Sequence, residues 1–133
     1  MKYLSIAILI VCIFSCNQNA NTSSTKNSTQ VNIDVLKASP DNFKLLFENE
    51  NVRVLDYTLK PGEKDRPHTH PAKSSYVASG GKLKVYLDNG EIIMADEIAG
   101  TASWMNSVGK HYVENVGNSE VKIILTEVKC VQR

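Results

Sequence analysis

From residue 31 onward, apolar and polar residues alternate in short runs separated by turn residues, and no stretch carries a convincing helical period. That pattern predicts an all-β domain. Leu83, Val85 and Leu87 alternate with Lys82, Lys84 and Tyr86, and after Asp88-Asn89-Gly90 the alternation resumes on Ile92 and Met94, which predicts a hairpin. The run Val52-Arg53-Val54-Leu55 ends near Lys60-Pro61-Gly62, where proline presets the first turn position and glycine supplies positive φ. Val121, Ile123 and Leu125 predict a last strand. Residues 34–48 carry no clear pattern, and Pro40-Asp41-Asn42 is read as the opening of one short helical turn. Strands this closely spaced suggest a sandwich or a barrel.

The first 30 residues follow different rules. Lys2 precedes an apolar run over residues 3–14, too short for a comfortable transmembrane helix but of the length of a signal-peptide core. The run ends in Ile13-Phe14-Ser15-Cys16, which resembles the bacterial lipoprotein box. The resemblance implies that Cys16 is lipidated and becomes the new N-terminus of an exported, membrane-anchored protein of the bacterial cell envelope. Residues 17–30 (NQNANTSSTKNSTQ) contain no large apolar side chain, so they cannot offset the entropy of ordering and read as a flexible tether. The expected organisation is a signal peptide over residues 1–15, the lipidated cysteine and tether over 16–30, and one domain over 31–133. The two N-glycosylation patterns in the tether are discounted because the lipoprotein signal argues for a bacterium.

Composition narrows the function classes. A chain of 133 residues with 42% hydrophobic and 22% charged residues suits one globular domain. A net charge of +1 provides no basic stripe, so nucleic-acid binding has no electrostatic support and small-molecule partners are favoured. Loss of residues 1–15 would remove Lys2 and leave 14 basic and 14 acidic residues. Cys12 and Cys16 lie in the N-terminal apolar segment, so the cysteines are not read as a disulfide framework, and Cys130 is read as an incidental surface thiol.

The candidate chemistry lies in the histidines, of which the chain has three. His68-Thr69-His70 stands in a segment expected to be extended, where alternation puts both imidazoles on one face. Neutral imidazole suits Zn, Fe, Cu and Ni, and two ligands on one strand need a third to form an open metal site. His111 is the remaining histidine.

These residues resemble the cupin superfamily, and small single-domain bacterial cupins in particular. Gly62, five residues, His68-Thr69-His70, three residues, Ser74, six residues and Gly81 match the first cupin motif except at the acid. Gly100, five residues, Asn106-Ser107-Val108, two residues, His111, three residues and Asn115 keep the register of the second, with its Pro and middle Gly replaced. The Asn49-Glu50-Asn51-Val52-Arg53-Val54 opening adds to the likeness.

The resemblance implies a double-stranded β-helix (jelly-roll) barrel of six to eight strands, with a divalent metal (Fe, Zn, Mn or Ni) on His68, His70 and His111. The family's usual fourth ligand is a glutamate, and Ser74 stands in its register. Ser74 is therefore expected to line the site without completing it, which would leave the ion's charge to favour an anionic ligand.

Tyr76 and Trp104 are read as further residues facing the interior, either as substrate contacts or as core and rim packing. Asn115 is read as a turn residue, and Glu127 is kept as a candidate of undecided direction. Two function classes remain open. One is a metal-dependent dioxygenase, lyase or isomerase acting on a small anion. The other is a non-catalytic module binding a small molecule or metal, with a metal-free relic of the site as its limit. Pairing with a second copy of the chain is left open.

Overall fold

The computed structural model describes residues 31–129. The expected signal peptide, Cys16, the expected tether and Cys130 lie outside the described residues. Among them the order is α1 (Val35–Ala38), β1 (Phe43–Glu48), β2 (Val52–Leu59), β3 (His68–His70), β4 (Lys73–Ser79), β5 (Gly81–Leu87), β6 (Ile92–Glu97), β7 (Ala102–Met105), β8 (Val108–Asn115) and β9 (Val121–Val128). The strands form a five-stranded sheet, β1-β2-β9-β4-β7, and a four-stranded sheet, β3-β8-β5-β6. Every pairing is antiparallel. This is a jelly roll, and its strand count exceeds the expected six to eight because β1 and the short β7 extend the two edges of the larger sheet.

The core follows from period-two alternation. Leu55, Tyr57 and Leu59 of β2 and Val121, Ile123 and Leu125 of β9 point inward and are buried, and they meet Val77, Leu83 and Val113 from other strands. Each buried aliphatic side chain of this kind contributes roughly 1.5–3 kcal/mol. Gly62 and Gly90 have φ of 76° and 85°, the left-handed conformation their turns require. At the corner from β4 to β5 a Cβ at Gly80 would run into the Glu97 carbonyl, so only glycine lets the strands approach.

Two local expectations are corrected. The helical turn lies at Val35–Ala38, where the Asp34 carboxylate accepts the Leu36 N–H at 3.0 Å as an N-cap, and Pro40-Asp41-Asn42 forms a turn leading into β1. In the β5–β6 hairpin Ile92 and Met94 pair with Tyr86 and Lys84 on the outer face, while Ile93 and Ala95 share the inner face with Val85 and Leu83. The loop is closed by hydrogen bonds from Leu87 N–H to Glu91 O and from Gly90 N–H to Leu87 O, and that geometry sets the register.

Candidate metal centre

β3 and β8 bring the histidines together. His68 and His111 are directly opposed across the strand pair, and a register shift between His68 and His70 turns the second ring toward the same point. Ring centroids lie 4.8 Å (His68 to His70), 4.5 Å (His68 to His111) and 5.5 Å (His70 to His111) apart. One ligand atom from each ring can be chosen so that all lie within 4.8 Å of one another. The expected convergence is observed.

The ring hydrogen bonds provide the test of fit. His68 Nδ1 lies 2.8 Å from Arg66 O and His111 Nδ1 lies 2.8 Å from Gly109 O. His70 Nδ1 lies 2.5 Å from Glu127 Oε1. A carbonyl only accepts, so Nδ1 carries the proton in His68 and His111, and the Glu127 carboxylate imposes the same tautomer on His70. Each Nε2 is left with its lone pair. Burial, above all, lowers the pKa of His68 to about 3 and of His70 to about 2, and it lowers that of His111 as well. Three neutral imidazoles, each with an unprotonated Nε2, are what a divalent ion requires, so the residues fit the metal.

Glu127 connects this centre to the surface. It continues the inward alternation of Val121, Ile123 and Leu125, and its direction is thereby settled: it shares their face and is 2% exposed. Its Oε2 accepts Arg53 Nε at 2.8 Å and faces Arg53 Nη2 at 2.6 Å, and Arg53 Nη1 reaches Asp34 Oδ2 at 2.5 Å. The helix cap, the guanidinium and the carboxylate thus form one chain that ends on the His70 ring. A second buried carboxylate, Asp65, accepts from Tyr57 Oη at 2.8 Å and Val113 N–H at 2.6 Å, and burial raises its pKa to about 6.

The histidines face a cavity of about 230 Å³ whose walls include Phe43, Leu83, Val85, Ile93, Met105 and Leu125, with Tyr57, Lys73, Ser75, Glu97 and Ser103 as its other polar residues. A larger surface cleft of about 440 Å³ on the far side of Arg53 and Glu127 touches only His70 of the three, so the interior cavity is the one associated with the metal centre.

Three expected site residues lie elsewhere. Ser74, Tyr76 and Trp104 do not line this cavity. Inward positions on β3 are even-numbered, but the chain turns at Pro71-Ala72 from one sheet into the other, and on β4 Lys73, Ser75 and Val77 point inward. Ser74 and Tyr76 fall on the outer face, Tyr76 at 49% exposed. Trp104 pairs with Ser74 across β4 and β7 and is 60% exposed, while its neighbours Ser103 and Met105 line the cavity. Ser75, separated from His70 by four residues, takes the inward place expected of Ser74, and its Oγ is 2.9 Å from Ser103 Oγ. Asn115 is buried in a turn role, its Nδ2 donating to Leu59 O and Ser119 O at 2.8 Å each.

Arg53, Asp65, Lys73, Ser75 and Glu97 were not singled out by the sequence. For Glu127 a signal existed in the alternation running on past Leu125; for Lys73 none exists without knowing how the chain turns at Pro71. Burial lowers the Lys73 pKa to about 8, against the pull of Glu127, Asp65 and Glu97. The unfolded chain holds that proton up to about pH 10.5. Between those values the unfolded state binds more protons, so stability should rise with pH by about 1.4 kcal/mol per unit. The rise should end near pH 10, where Tyr57, buried and raised well above its usual value, begins to favour the unfolded state. Denaturant midpoints measured from pH 7 to 10 check this, and a flat profile would contradict it.

No family model matches the sequence, and no curated protein matches it. Solved structures do. A cupin domain from Bordetella pertussis Tohama I matches with a TM-score of 0.61 at 20% identity, over 66% of this chain and 92% of that one. An RmlC-like cupin family protein with a double-stranded β-helix fold from Methanocaldococcus jannaschii matches with a TM-score of 0.54 at 16% identity, over 65% of this chain and 77% of that one. Two antiparallel sheets closed over a three-histidine centre, together with these likenesses, establish that the domain has the cupin jelly-roll fold.

Proposed function

We propose that this chain is an exported lipoprotein, tethered through Cys16, whose barrel binds a divalent metal on His68, His70 and His111 and acts on a small anionic molecule in the cavity. The observation that carries this reading is the shared tautomer: three buried rings held through Nδ1, each leaving Nε2 free. A bound Fe, Zn, Mn or Ni ion would supply Lewis-acid or redox chemistry there. The chain itself supplies a largely apolar wall, and two groups able to hold or move a proton, the Lys73 amine and the Glu97 carboxyl, whose pKa burial raises. Their presence favours turnover by a dioxygenase, lyase or isomerase over simple capture of a ligand or a metal-free relic.

Metal analysis of the purified protein is the test. Iron would support oxygenase chemistry, and zinc would support a lyase, an isomerase or a binding role. Absence of metal, with no rise in melting temperature on adding any of the four ions, would overturn the metal reading. The tether is tested in parallel, because Cys16→Ser should release the protein from membranes, and a wild type free of fatty acid would refute lipidation.

A further inference from the structure

Lys73 is 9% exposed and lines the histidine cavity, yet among the described residues it has no ion-pair partner. Three carboxylates lie near enough to influence it, and each is accounted for. Glu127, its cross-strand neighbour, is engaged by Arg53 and His70. Asp65 is engaged by Tyr57 and the Val113 N–H. Glu97 lines the same cavity on β6, and burial favours its protonated form. A buried ammonium without a counter-charge is costly to keep, and beside a centre built for a divalent cation it is more so, since the two like charges oppose each other. An anion placed between them relieves both.

We infer that Lys73 is the anion-recognition residue of this cavity, and that the ligand is a small monocarboxylate with an apolar body, its acid group lying between the Lys73 ammonium and the histidines. The inference rests on the proposed small-anion site and specifies its ligand. Apart from Tyr57, Ser75, Ser103 and Glu97 the remaining walls are apolar, Leu83, Val85 and Ile93 among them, and among the described residues no second cationic side chain lines the cavity, so a second acid group on the ligand would be buried without a counter-charge. The volume, about 230 Å³, is what about eight waters would fill, which limits the body to a few carbon atoms.

Butyrate and butyramide differ in charge and little in size, and calorimetric titration of both into the full-length protein in detergent, stripped of metal by a chelator, separates the charge from the shape. Butyrate should bind saturably, and butyramide about tenfold or more weakly, as expected for loss of a charge-assisted hydrogen bond. Lys73→Met should weaken butyrate by a similar factor and leave butyramide unchanged, whereas Lys73→Arg should keep most of the butyrate affinity. Equal butyrate binding by Lys73→Met and wild type, or no saturable binding by wild type, overturns the inference. So does butyrate binding that appears in Glu97→Gln but not in wild type, which would show that Lys73 is held by Glu97. Should Lys73→Met fail to fold, the wild-type comparison decides, and equal affinities for the two probes refute the role of the charge. Repeating the titration after adding zinc keeps the two readings apart. Butyrate binding without zinc uptake sinks the metal and leaves Lys73 standing, and binding that needs zinc but not Lys73 does the reverse.

Discussion

Arg53→Ala is expected to destabilise the domain by about 3–5 kcal/mol, the cost of breaking a buried ion pair by removing one partner. The reason is asymmetric burial. Asp34 is 34% exposed at its side chain and can be hydrated once the guanidinium is gone, but Glu127 is 2% exposed and would be left with the His70 ring as its bonded partner and Lys73 as its cross-strand neighbour. The Asp34 cap would also lose its link to the sheet, so α1 should fray. The cost comes from the orphaned charge and not from lost packing, which a second variant can establish: replacing both partners, Arg53→Met with Glu127→Leu, should recover much of the loss because no buried charge remains. Chemical denaturation of the three proteins is the measurement. A loss below about 1 kcal/mol for Arg53→Ala would mean that water reaches Glu127 freely and that the chain from Asp34 to His70 is a surface feature.

His111→Ala should lower metal affinity by about 100-fold or more, because it removes a ligand where the effect of a partner behind a ligand is already about 10- to 100-fold. Glu127→Gln tests that partner. Its amide oxygen still accepts the His70 Nδ1–H, so the ring stays oriented, but the negative charge that makes the imidazole a stronger donor is gone, and a drop of about tenfold is expected. Ser74→Glu should change nothing, since Ser74 lies on the outer face of β4 beside Trp104 and a carboxylate there does not reach the cavity. Zinc titrations against a competing chelator rank the three. The order His111, Glu127, Ser74 is the expected result; His111→Ala binding zinc as tightly as wild type would remove the metal centre altogether, and a rise with Ser74→Glu would show that β4 can turn its other face inward.

The contrast between these residues separates local from global information. Within one strand the side-chain period is two, so residues a few positions apart share a face whatever the rest of the chain does. His68 and His70 could therefore be placed together from three consecutive residues, and the register of Gly62 and Gly81 around them, with Gly100 and Asn115 around His111, resembled a cupin closely enough to bring the third ring in. The alternation of Val121, Ile123 and Leu125 likewise extends to Glu127, and its inward face was there to be read. What period two does not carry is phase across a break in the strand. Pro71-Ala72 carries the chain from one sheet to the other and changes the inward positions from even to odd, which exchanges Ser74 for Lys73 and Ser75. The loop after Leu87 does the same to β6, exchanging Ile92 and Met94 for Ile93 and Ala95. Partnerships are further out of reach, because Arg53 and Glu127 stand 74 positions apart and His70 and Glu127 stand 57 apart. Which carboxylates find a cation, and that Lys73 is left without an ion-pair partner among the described residues, was decided when β2, β3, β4 and β9 met in the closed barrel, since burial and pairing are properties of the assembled sheets and of no single strand.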